Sequence, residues 1–209
     1  MGQGRKRMQT RERLVATAKL ARVAAPGLLS DLATTIPAVV PNPLSVGDAY
    51  ELLLQSYLFF GYPQAIEVMR VYSEALQRIG LQSATNGDRP SLQEMRDRGE
   101  VRCREIYNPN YERLQDNMAA ISPELAEWML IEGYGKVLSR PGPSKLEREI
   151  ASIVFLACSR HPVQLFSHVR GARNLGADAQ LLREIISATE LTHEQSALVE
   201  ETIGRVFAA

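Results

Sequence analysis

Along nearly the whole chain apolar residues return at three- and four-residue steps, and no stretch between turn residues alternates apolar with polar. A return of three or four places apolar side chains on one face of a helix, whereas a half-buried strand needs a return of two. The expected fold class is therefore all-α. Tyr50 to Leu76 carries the pattern, interrupted at Gly61-Tyr62-Pro63. Met118 to Leu138 reads as one or two helices, with Ser122-Pro123 as cap and first turn. Leu146 to Cys158, Pro162 to Asn174, Ala179 to Ala188 and His193 to Phe207 follow as helices. Thr192, three residues before Gln195, suits a capping box at the last of these.

Two stretches read as joins. QSATNGDRP, from Gln82 to Pro90, is polar and turn-rich, and SRPGPS, from Ser139 to Ser144, is stiffened by prolines that cannot continue a helix. The residues on either side of the first join resemble each other. When RERLVATAKLARVAAP (11 to 26) is laid on EREIASIVFLACSRHP (147 to 162), Leu20-Ala21 falls on Leu156-Ala157 and Pro26 on Pro162. After a short gap, Glu51-Leu52-Leu53 falls on Glu184-Ile185-Ile186. A duplicated helical unit is expected: a degenerate repeat over 1–81, a linker over 82–98 and a second repeat over 99–209. In this alignment Glu149, His161, Gln164 and His168 face Arg13, Ala25, Leu28 and Leu32, so only the second copy carries a polar constellation.

Charge and composition narrow the partners. Twenty-four basic residues balance twenty-four acidic ones, so no global field favours nucleic acid or an anionic membrane surface. The basic cluster GRKR near the start reads as a disordered tail. No apolar run approaches the ~20 residues of a membrane span. LVATAKLARVAAPGLL is broken by Lys19 and Arg22, which argues against a signal-peptide core. Cys103 and Cys158 stand too far apart for a metal or redox spacing. A reduced, cytoplasmic protein is expected, with neither nucleic acid nor membrane as partner.

The chemistry concentrates in HPVQLFSH, residues 161 to 168. His161, Gln164 and His168 share one helix face, because seven residues make two helical turns. His161 precedes Pro162, a favoured first helical residue, and so sits at the N-cap, where the helix dipole favours a bound anion.

Around this stretch lie further marked residues: Tyr134-Gly135, Arg140-Pro141-Gly142, Arg148-Glu149, and His168 followed by Ala172 and Gly176. Together with RGEVRCREIYNPNYERLQDN upstream, they make residues 99 to 186 resemble the carboxymuconolactone decarboxylase family. FFGYPQAIEVMRV, near residue 60, is similar to the family's Tyr-x-Gly-x-Pro-Ala-Ala helix, which normally follows the histidine helix. Here it belongs to the first copy, and the segment after Ile186 lacks Gly-Pro.

The resemblance implies an all-helical fold assembling as a homotrimer or larger closed homo-oligomer. It also implies decarboxylation, or a related proton transfer, on a small carboxylated lactone or keto acid. Such a substrate supplies its own electron sink, so neither organic cofactor nor metal is implied. By the same resemblance His168 is the candidate proton donor, Glu149 the residue that orients it, and His161 a further catalytic candidate at the helix start. Arg148 is the candidate to grip a substrate carboxylate, with Gln164 and Tyr134 as additional substrate contacts.

Two alternatives stand beside this reading. The alkylhydroperoxidase D branch of the superfamily carries Glu-x11-Cys-x2-Cys-x3-His. This chain keeps the spacing as Glu149, His161, Gln164 and His168, but has neither cysteine. A dithiol peroxidase needs a low-pKa thiolate and a resolving thiol, so that chemistry is disfavoured. The second alternative is a non-catalytic oligomeric scaffold or ligand-binding protein.

Overall fold

The structure, a computed structural model, describes residues 2–85 and 87–208, the side chains of residues 2–9 excepted. The described residues are helical and contain no strand, as the periodicity predicts. The helices are α1 (Gly2–Val23), α2 (Leu29–Val39), α3 (Val46–Gln55), α4 (Tyr57–Arg78), α5 (Leu92–Tyr107), α6 (Tyr111–Ile121) and α7 (Pro123–Trp128). A π-helix over Met129–Leu138 follows, then α8 (Lys145–Ser159), α9 (Pro162–Asn174), α10 (Ala179–Ser187) and α11 (His193–Ala208). GRKR, expected as a disordered tail, is backbone of α1, and its side chains lie outside the described residues.

Local chemistry sets the boundaries. Ser144 and Glu147 form a reciprocal capping box at α8, so the proline-rich join ends directly in a helix start. Thr192 and Gln195 bond each other's backbone amides at 3.3 and 3.0 Å, and Ser122 caps α7 with Pro123 in the first turn. Gly61 adopts φ 76°, a left-handed value that glycine tolerates, and it kinks α4 where Gly-Tyr-Pro interrupts the pattern.

The chain divides into two compact units, Met1–Thr85 with Gly142–Ala209, and Asn86–Pro141. This partition differs from the expected 1–81, 82–98 and 99–209. The apolar faces of α1 and α8 pack on each other, so the two ends of the chain share one core and the middle segment is a separate unit. Sequence periodicity shows which face of a helix is buried, but not which helix covers it.

In the larger unit α1 and α8 lie together at the centre. The contacts α1–α2, α2–α4 and α3–α4 recur in order as α8–α9, α9–α11 and α10–α11. The core includes Leu20, Leu32, Ile36, Leu52, Tyr72, Ile153, Phe155, Leu165 and Ile203, each at most 1% exposed.

In the smaller unit α5 and the π-helix cross at Gly99 and Gly135. A Cβ on Gly99 would collide with the Leu130 carbonyl, and one on Gly135 with the Met95 carbonyl. Beyond this contact α5 buries Cys103, Ile106 and Tyr107 on the same side, and most of its other residues are polar. Arg96 and Glu127 pair between α5 and α7.

Candidate functional site

The α8–α9 pair assembles the main polar constellation. Capping at Ser144 fixes the first turn of α8 and sets Arg148 and Glu149 on adjacent faces one turn in. Glu149 faces α9. Its Oε2 lies 2.9 Å from Nδ1 of His168, and the carboxylate side chain is 1% exposed against 13% for the imidazole. A carboxylate oxygen accepts such a bond from an Nδ1–H, and the contact leaves Nε2 to meet a ligand. The second carboxylate oxygen, Oε1, is buried with no hydrogen-bond partner among the described residues.

Aromatic side chains border the dyad. Phe59, in the first turn of α4, meets the His168 ring edge-on at 6.2 Å between centroids and stacks on Phe155 at 5.1 Å. Phe60 packs edge-on against the same Phe155 at 5.4 Å. The kink at Gly61 ends this run.

Arg148 does not stand free for a substrate carboxylate. It is 2% exposed, and Nη2 lies 3.6 Å from Oε2 of Glu51 on α3, itself fully buried. Nη1 donates to Gln55 Oε1 at 3.3 Å. The Gln55 amide in turn donates to the Arg148 carbonyl at 3.0 Å and to Ser152 Oγ at 2.9 Å. A buried guanidinium requires a counter-charge and hydrogen bonds, and α3 supplies both. The sequence role of Arg148 as an open carboxylate clamp is therefore corrected: its charge is already matched inside the core.

Glu51, Gln55 and Ser152 were not among the sequence candidates. Their signal was present, since Glu51 and Gln55 bracket Leu52-Leu53-Leu54 and Ser152 interrupts IASIVFLA. A polar residue amid side chains that must be buried needs a buried partner.

The remaining candidates are placed differently. His161 is the N-cap of α9 and makes no capping bond with its side chain; both it and Gln164 are exposed. Seven residues along a helix rise about 10 Å, so a substrate reacting at His168 must be long to reach His161 as well. Gln164 is one turn away, about 6 Å. Tyr134 belongs to the smaller unit, where it is buried and its hydroxyl donates to Tyr107 at 2.9 Å.

Cys158, on the last turn of α8, is a poor nucleophile, because burial pushes its thiol up to about 11 against a lesser opposing effect of Arg22. Cys103 lies in the smaller unit. Among the described residues no three His, Cys, Asp or Glu side chains gather as a metal ion would require. No described helix is long and apolar enough to cross a membrane.

No protein-family model matches the chain, and no curated protein matches it.

Proposed function

We propose that the α8–α9 face performs cofactor-independent proton transfer, coupled to loss of a carboxylate from a small carboxylated lactone or keto acid. The observation that carries this reading is the 2.9 Å bond between Glu149 and His168. A wholly buried carboxylate that fixes one nitrogen of a partly exposed imidazole leaves the other nitrogen in a defined tautomer and direction, which proton transfer to carbon requires.

Loss of carbon dioxide leaves a carbanion or dienolate whose charge passes into the substrate's own conjugated carbonyl. Delivery from Nε2 requires the doubly protonated ring: His168 gives the Nε2 proton to the carbanion carbon, and Glu149 holds the Nδ1–H imidazole that remains. With Arg148 engaged by Glu51 and Gln55, the retained carboxylate of the substrate falls to Gln164, one turn from His168. The resemblance over residues 99 to 186 and the recurring helix contacts support a duplicated carboxymuconolactone decarboxylase-like scaffold. Closed homo-oligomeric assembly belongs to the same reading, and it would cover the exposed Tyr62 and Ile66, one turn apart on α4.

Mass-spectrometric detection of carbon dioxide release across a panel of carboxylated lactones and keto acids tests the function. Release by the native protein and its loss in His168→Ala is the expected result. No release from any member would favour a non-catalytic ligand-binding scaffold. The observation that favours this second reading is the internal neutralisation of Arg148, the cation nearest in sequence to the dyad. The hydroperoxidase branch gains nothing from a Cys158 thiol pushed up to about 11.

A further inference from the structure

The Glu149 carboxylate has two oxygens and only one is used. Oε2 takes the His168 proton at 2.9 Å, while Oε1 is buried and has no partner among the described residues. A buried acceptor without a donor is costly, and more so when it is charged, so such atoms in folded proteins ordinarily meet water, an ion or a ligand. Ser56 Oγ is a second buried polar atom without a partner, one turn ahead of the Phe59 whose ring meets His168. The cation adjacent in sequence, Arg148, is bound to Glu51 and Gln55.

An anion brought against Oε1 would therefore meet a carboxylate oxygen, with the adjacent arginine already paired to Glu51 and Gln55. A neutral group with a proton to give would satisfy Oε1 directly. Resting on the proton-transfer reading of this dyad, we infer that Glu149 Oε1 is a binding subsite for an uncharged hydroxyl of phenol or enol type. The reacting end of the substrate is then a hydroxyl-bearing, unsaturated carbon skeleton, and any carboxylate it carries points outward along α9. Phe59, Phe60 and Phe155 supply the aromatic surroundings such a skeleton favours.

Phenol and benzoate are probes of equal ring size that differ in this one respect. Titrated into the native full-length protein, phenol should shift the His168 imidazole resonances and bind about 10- to 100-fold more tightly than benzoate, the range for one hydrogen bond to a charged group. Glu149→Gln keeps an oxygen for His168 and turns the other end of the group from acceptor to donor. The preference for phenol should then fall at least about tenfold or reverse. The native comparison stands even if that variant fails to fold. Benzoate binding as tightly as phenol, phenol binding without moving the His168 resonances, or neither binding at millimolar concentration would overturn the inference; the last outcome would leave Oε1 to a buried water. Carbon dioxide release that depends on His168, found together with any of these, would sink the hydroxyl subsite and leave the catalytic reading standing.

Discussion

The α1–α2 and α8–α9 pairs occupy matching places in the larger unit and differ most at the positions that the sequence alignment pairs. On α2, Leu32 is fully buried; its counterpart His168 on α9 is partly exposed and bonded to a buried carboxylate. Ala25 is buried where His161 is exposed, and Leu28 is half-buried where Gln164 is exposed. The charge on the facing helix is inverted too. Arg13 of α1 turns to Glu147 at 2.8 Å and Asp48 at 3.1 Å, whereas Glu149 of α8 turns inward to α9. One pair uses this face to close the core; the other opens the same face and lines it with His161, Gln164 and His168. The difference separates residues that carry the fold from those proposed to carry the chemistry.

Substitution of His168 by alanine should give the largest effect. Loss of a general acid costs about 10²- to 10⁴-fold in carbon dioxide release per folded molecule. Because Glu149 would then be buried with both oxygens unpartnered, we also expect about 1–3 kcal/mol of destabilisation. Denaturant melts run beside the turnover assay separate the two losses. Unchanged turnover of the folded fraction would reduce the dyad to a core contact and erase the contrast with Leu32.

Arg148→Ala comes next and acts on stability. Removing one partner of a buried ion pair costs about 3–5 kcal/mol, here by stranding Glu51. The Michaelis constant of the folded fraction should hold. A large rise in that constant with stability intact would restore Arg148 as a carboxylate clamp. Leu32→Ala, the apolar counterpart of the histidine substitution, should cost about 2–5 kcal/mol through the cavity it leaves, with turnover per folded molecule unchanged. Equal effects of Leu32→Ala and His168→Ala on turnover would mean that the assay reads folding alone.

Helix type, most helix positions and the polar face of α9 were legible because each follows from spacing along one element. The Glu149–His168 pair was legible because its spacing matches a known arrangement. The partner of Arg148 was not, because Glu51 comes from a helix 97 positions earlier and nothing in local spacing joins the two. Helix α5 was missed for a different reason. Its buried stripe is short and is built on Gly99, Cys103, Ile106 and Tyr107, so it is hidden in an otherwise charged segment. The division into units was illegible for the same reason as the Arg148 partner, since it depends on α1 and α8 covering each other.

His161→Ala should give the smallest effect. The side chain is exposed and makes no capping bond, so alanine removes no structural contact, and stability should stay within about 0.5 kcal/mol. Two helical turns, about 10 Å, separate it from His168, farther than a small lactone extends from its reacting carbon to its carboxylate. Turnover of such a substrate should therefore change only about twofold, well below the loss expected for a general acid. The matching position in the first half is already Ala25, so the scaffold accommodates the smaller residue. A tenfold rise in the Michaelis constant with kcat unchanged would show that the substrate spans both turns. The open face of α9 would then be one extended site rather than a dyad with an exposed edge, and candidate substrates would have to be correspondingly longer.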